Sequence, residues 1–224
     1  KLNNYNTFMH QVGFENSNIL QMLNVKYLIS LQELEHPLFK KIYSGKLYHN
    51  NQYQNANIYL FINFIDRAFF VDKLKVIKNT DDILNYIKNS KQSLIKESIL
   101  NTNLVNNSFD KDRELKINNK SPNRIDLKTN SNSEQFLVLS EIYYPKGWKA
   151  YINNQETEIH EVNSILRGIS VPAGSNEIYF VFTPSNVKIG SVISLFSLIL
   201  SNIILSPRLS INFPDIFSTL LSIS

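Results

Sequence analysis

The stretch from Phe136 to Thr183 constrains this chain most, because short apolar runs alternate there with turn residues roughly every ten positions. Phe136 to Tyr144 is apolar on both alternating faces except at Ser140 and Glu141, as a strand covered on both sides must be. Pro145-Lys146-Gly147 breaks that run. Trp148, Ala150 and Ile152 then point one way, with Lys149 and Tyr151 the other. Asn153-Asn154 suits a two-residue turn, since Asn tolerates left-handed φ better than most residues. Glu156 to Val162 returns as a more polar strand and Ile165 to Val171 follows. Pro172-Ala173-Gly174 suits a turn, and Ile178, Phe180 and Phe182 line one face of the last strand before Pro184. Together with an alternating hairpin at Glu114–Asn118 and Arg124–Thr129, this predicts an antiparallel, jelly-roll-like β-sandwich over residues 113–184.

After Pro184 the period changes. Ile189 to Leu205 carries no formal charge and is dominated by Ile, Leu, Val and Phe. That run lies at the short end of the roughly 17–25 residues a spanning helix needs. Ser191, Ser194, Ser197, Ser201 and Asn202 dilute it, while Lys188 and Arg208 flank it where basic side chains can snorkel. The expectation is a transmembrane helix at 187–206 with a tail at 207–224; a buried core helix is the competing reading.

Residues 1–100 read as a small α+β subdomain. A loop and short helix end in the face Ile19, Leu20, Met22 and Leu23, and Val25 to Ile29 follows as a strand. Lys40–Ser44, Lys46–His49 and Ala56–Phe64 form a meander of strands that Asp66–Val71 is expected to continue. Thr80 can cap a helix with Asp81 and Asp82 in its first turn and Ile83, Leu84 and Ile87 on one face; Ser93–Ser98 is a further candidate strand. Polar, Asn-rich residues 101–112 read as a linker. The fold class expected is therefore mainly β.

Composition bounds the function. With 43% hydrophobic and 12% aromatic residues in 224, a sizeable core can form. A net charge of +4 is interspersed along the chain, with no block of like sign to mark a nucleic-acid footprint. Zero cysteines exclude disulfides and thiolate metal sites. The chain opens at Lys1 without an initiator Met, so a piece of a longer reading frame is expected.

No catalytic constellation is visible. His10, His36, His49 and His160 are scattered without metal-ligand spacing, and no nucleophile elbow, phosphate loop or dinucleotide fingerprint occurs. Asp81-Asp82 explains itself by helix capping; Glu156 and Glu158 share a wet strand face. No catalytic, metal-binding or cofactor-binding residue is assigned. Trp148, beside Tyr143, Tyr144 and Tyr151, reads either as a core anchor or as a sugar-stacking platform. Arg167, in an otherwise apolar strand, needs a partner if buried, and Glu141 is the candidate; ligand recognition is the other reading. Tyr144, Trp148 and Arg167 are thus the candidate glycan contacts.

The ordered pieces Leu23-Asn24-Val25-Lys26-Tyr27-Leu28-Ile29, Arg67-Ala68-Phe69-Phe70-Val71, Leu139 to Ala150, Leu166-Arg167-Gly168, Val171-Pro172-Ala173-Gly174 and Pro184 to Gly190 carry a resemblance. In them the chain resembles the carboxy-terminal region of the YfhO family of bacterial multi-spanning membrane proteins. Lys146 departs from the family pattern, inserted where proline and glycine are usually adjacent, and so does Asp66, where a proline often precedes Arg-Ala-Phe. The resemblance implies a GT-C-like glycosyltransferase that uses a polyprenyl-phosphate sugar to decorate cell-envelope polymers. It places the acidic catalytic residue in an early extracytoplasmic loop outside this chain. The partners it implies are the lipid bilayer, a lipid-linked sugar and a cell-envelope glycopolymer. The location it implies is the cell membrane, with this β-region extracytoplasmic, capping the membrane part or binding acceptor. Two other classes compete: a membrane-anchored carbohydrate-binding or adhesin-like sandwich without activity, and a soluble sandwich whose last helix packs internally.

Overall fold

A computed structural model describes residues 2–13, 16–104 and 106–205. In chain order the elements are α1 (Leu2–Val12), α2 (Ser17–Met22), β1 (Tyr27–Ser30), β2 (Phe39–His49), β3 (Gln52–Phe61), β4 (Ala68–Phe70) and β5 (Lys73–Val76). Next come α3 (Thr80–Asn89), β6 (Glu97–Leu100), β7 (Arg113–Ser121), β8 (Arg124–Ser131), β9 (Gln135–Ile142) and β10 (Trp148–Ile152). β11 (Gln155–Thr157), β12 (His160–Val162), β13 (Leu166–Val171), β14 (Gly174–Phe182) and α4 (Ser185–Leu205) complete the chain. Residues 1–183 form one compact unit, and α4 begins a second.

A six-stranded sheet, β4-β9-β13-β12-β6-β5, is the middle of the first unit. One face packs on the five-stranded sheet β11-β10-β14-β8-β7 through Ile125, Leu127, Leu137, Leu139, Ala150, Ile169, Ile178 and Phe180. The other face is covered by helices, through Phe8 and Val12 of α1, Ile19 and Met22 of α2, and Ile83, Leu84 and Ile87 of α3. Covering on both faces explains why Gln135 to Leu139 is buried at every position. The third sheet, β1-β3-β2, is a long hairpin with β1 added to its inner half.

Local chemistry agrees with these elements. Asn153 and Asn154 make the expected two-residue turn between β10 and β11, with φ of 50° and 68°. The α3 helix is capped by Asn79 rather than Thr80: its side-chain oxygen accepts from the amides of Asp81 and Asp82 at 2.8 and 3.3 Å. β5, α3 and β6 form a parallel strand–helix–strand unit. Asn163, fully buried in the tight turn before β13, ties the layers. Its side chain accepts from the Ile99 amide at 2.8 Å and donates to Ser98 Oγ at 3.3 Å.

Three expectations change. Residues 68–70 do not continue the meander but pair with β9 in the six-stranded sheet. Strands on both sides of residues 101–112 share that sheet, so the polar stretch is a connection within one unit, with Phe109 packed against the core. The transmembrane helix expected at 187–206 is corrected: among the described residues, no helix is long and apolar enough to cross a membrane. The physical reason is dilution: Gly190, Ser191, Ser194, Ser197 and Ser201 interrupt an apolar run already at the minimum length, and Ser201 Oγ donates back to the Leu198 carbonyl at 2.8 Å. The observed fold is mainly β, with three sheets and a helical layer; the tail at 207–224 lies outside the described residues.

Candidate functional site

The sequence candidates converge at one end of the sandwich. Arg167 stands on β13 beside a register shift between Leu166 and Arg167, and its side chain crosses the interlayer toward the facing sheet. Its guanidinium carbon lies 4.0 Å over the Trp148 ring and 5.9 Å from that of Phe180. On the neighbouring strand, Glu141 accepts from Arg167 Nη2 at 3.2 Å, and its other oxygen pairs with Arg67 Nε at 3.2 Å. One carboxylate thus bridges two guanidinium groups, leaving the cluster positive.

Arg167 is only 1% exposed, and its Nε and Nη1 have no hydrogen-bond partner within the protein. Burial pushes its pKa down to about 10, while Glu141 works in the opposite direction. The charge therefore persists at neutral pH, held by one ion pair and the π-face of Trp148 rather than by a full set of hydrogen bonds.

The aromatic partners reach from this buried charge to solvent. Trp148 and Phe182 rings lie 5.3 Å apart, and Phe182 and Tyr144 rings 6.3 Å apart. Gly147 permits the approach, since a Cβ there would stand 2.2 Å from the Phe182 ring. Tyr144 is 41% exposed, Trp148 is half-buried, and Arg167 is shielded beneath it. The structure therefore brings all three sequence candidates together, with Tyr144 as the outermost. Reasoning from sequence missed Arg67, Phe180 and Phe182; the run Arg67-Ala68-Phe69-Phe70 was visible, but its pairing beside β9 was not. The cluster contains no nucleophile and no acid–base pair, so what it offers chemically is cation–π and aromatic contact.

Cavities among the described residues lie elsewhere, the one of about 730 Å³ being lined by Glu114, Leu115, Lys116 and Thr129 among others. Another of about 170 Å³ on the outer face of the five-stranded sheet is lined by Arg124, Asp126, Asn153, Asn154 and Tyr179 among others. Its charges are already paired, Arg124 with Asp126 and Lys128 with Glu177. Both neighbours of Tyr179 are occupied, by Arg124 at 4.5 Å and by the Tyr151 ring at 4.8 Å. A further one, of about 640 Å³, is an apolar groove lined by Leu20, Val25, Leu28, Leu34 and Leu38, with Glu35 and His36 beside them. Among the described residues, no group of His, Asp or Glu is placed to hold a metal ion.

The model of the family described as bacterial membrane protein YfhO matches residues 98–194, which hold Glu141, Tyr144, Trp148 and Arg167. Over these residues the chain is similar to the YfhO family. The uncharacterized protein YfhO of Bacillus subtilis (strain 168) is 31% identical over 83 residues, 37% of this chain and 10% of that protein. The matched stretch thus spans a tenth of the relative's length. No solved structure gives a significant match. The YfhO family is one of bacterial membrane proteins, and the match begins in β6 and runs through β7 to β14, leaving β4 and β5 of the six-stranded sheet outside it.

Proposed function

We propose that this chain is the extracytoplasmic, carboxy-terminal part of a polytopic membrane protein of the GT-C-like glycosyltransferase kind. The whole protein would transfer a sugar from a polyprenyl-phosphate carrier to a hydroxyl of a cell-envelope polymer. The bond between the sugar's anomeric carbon and the phosphate oxygen breaks, a glycosidic bond to the acceptor oxygen forms, and polyprenyl phosphate leaves. The acceptor proton passes to a carboxylate outside this chain. This segment takes no chemical step; it caps the membrane part and contacts the acceptor through Tyr144 and Trp148, with Arg167 holding Trp148 in place.

The observation that carries this reading is the YfhO-family match across the sandwich. It is supported by the exposed Tyr144, which meets Phe182 and through it Trp148, the ring stacked on the buried Arg167, an arrangement that suits contact with a sugar ring better than proton transfer.

The test exploits the absence of cysteine from this chain. Glu177→Cys, on the outer sheet face, is placed in the full-length protein with its other segments cysteine-free, and intact cells receive a membrane-impermeant maleimide. Labelling of intact cells is expected. Labelling only after permeabilisation overturns the extracytoplasmic placement. Membranes bearing the protein are then supplied with radiolabelled polyprenyl-phosphate sugar. Label in the envelope polymer is expected, and its absence despite correct sidedness leaves the non-enzymatic binding module.

A further inference from the structure

The hairpin of β2 and β3 presents an apolar face that its own unit leaves open. Strand register sets Tyr27, Ile29, Tyr43, Leu47, Ile58 and Leu60 on one side of the three-stranded sheet. Tyr27, Ile29, Tyr43 and Leu47 are between 41% and 61% exposed. The Tyr43 ring lies flat along the sheet over Gly45, where a Cβ would meet it at 2.6 Å. At the far end of the hairpin, the Tyr48 and Tyr53 rings pair at 5.2 Å while remaining 61% and 73% exposed. The register sets Tyr48 and Tyr53 on the opposite side from Tyr43 and Leu47, so apolar area is exposed on both sides of the hairpin's outer end, and exposed apolar area of this kind marks a docking surface.

Charge says what docks. From His36 through Ile65 the sequence contains no Asp or Glu, but it contains Lys40, Lys41 and Lys46. Lys41 pairs with Glu33 behind the hairpin. Lys40 stands on the apolar face itself, opposite Leu60, and Lys46 is exposed near the tip. Lysine is depleted from the cores of protein–protein interfaces, whereas tyrosine and lysine together are what the headgroup layer of a bilayer favours. The tyrosine rings place an apolar body against the acyl boundary and a hydroxyl among the headgroups, and the lysines meet anionic lipid.

We propose that the β2–β3 hairpin seats this unit on an anionic bilayer surface, with the Tyr43–Leu47 face and the Tyr48–Tyr53 tip in the headgroup layer. This rests on the membrane placement above and not on sugar transfer, and it adds a peripheral contact that involves no spanning helix.

Site-specific probes test it in the full 224-residue chain. A single Leu47→Cys, labelled with an environment-sensitive NBD group, is mixed with vesicles of phosphatidylglycerol and phosphatidylcholine in equal parts. The expected result is a blue-shifted, brighter emission that salt suppresses. The same probe at Glu177→Cys, on the outer face of the five-stranded sheet, should not respond. Lys40→Glu with Lys46→Glu should weaken the Leu47 response about tenfold in lipid concentration. Both lysines are exposed, and an unchanged circular dichroism spectrum would verify the fold. A Leu47 probe that stays water-like while the chain sediments with vesicles overturns the proposal, because another segment then makes the contact. An equal response with pure phosphatidylcholine, or at Glu177, overturns it too. Neither outcome alters the sidedness result, so the two readings fail separately.

Discussion

Arg167 shows how one residue can be both a cost and an anchor. Its guanidinium leaves water, which pushes its pKa downward, and recovers one carboxylate and one indole face. Removing it should expose which recovery matters. Arg167→Ala empties the space over Trp148 and leaves Glu141 to Arg67 alone; we expect a loss of about 3 kcal/mol in urea unfolding, with Trp148 emission shifted to the red. Arg167→Met refills that space without charge and should lose roughly 1 kcal/mol or less. Trp148 is the single tryptophan, so its emission reports this site without interference. Equal losses in the two variants would show that the ion pair, and not the stacking, holds the site. Arg167's need for a partner could be read from its apolar neighbours, and Glu141 is that partner. The stack on Trp148 was not legible, because it joins facing sheets and no spacing along the chain encodes it.

At the scale of elements, what could be read was what local chemistry fixes. The Asn153-Asn154 turn, the hairpin of β7 and β8, and the helix at Ile83–Ile87 all follow from periodicity and turn residues. Pairing partners did not follow. Residues 68–70 are too few to choose a neighbour by pattern, and they join β9 through contacts distant in sequence. Likewise β5 and β6 are parallel only because α3 carries the chain back between them. The clamp on that crossover is Tyr86. Its hydroxyl donates to Glu97 Oε1 of β6 at 2.6 Å, and Lys75 Nζ of β5 lies 4.0 Å over its ring. The bond to Glu97, and burial after it, raise the Tyr86 pKa above the ordinary 10.0. Since the unfolded chain gives up that proton first, the contribution is fully present below pH 10 and is lost as pH rises through the folded value. Tyr86→Phe keeps the ring under Lys75 and should cost about 1–2 kcal/mol at pH 7, with the difference from the parent shrinking above pH 10. Denaturant titrations at pH 7 and above 10 measure it. A constant difference would deny the role of the hydroxyl.

For the whole molecule, the question is how many cooperative pieces residues 1–183 contain. The polar stretch at 101–112 invites division into two, yet β4, β5 and β6 precede it while β9, β12 and β13 follow it, and all six share one sheet. Both cores meet on that sheet: Val138 and Phe136 face the helices, and Leu137 and Leu139 face the second sheet. Neither half can keep its strands without the other. Among the described residues both hydrophobic clusters are built from residues before Pro184, and the chain truncated to 1–183 should keep its stability. We expect that truncated chain to melt in a single calorimetric transition, with the van't Hoff enthalpy matching the calorimetric one. Its midpoint should lie within about 3 °C of that of the 224-residue chain, the shift expected of less than about 1 kcal/mol at this size. Two resolved transitions would mean that the helical layer and the sandwich fold apart and the shared sheet does not couple them. A large fall in midpoint would instead place part of the core's support beyond Pro184. One matched transition would make the six-stranded sheet the element on which the stability of the unit, and the geometry at Arg167 and Trp148, depends.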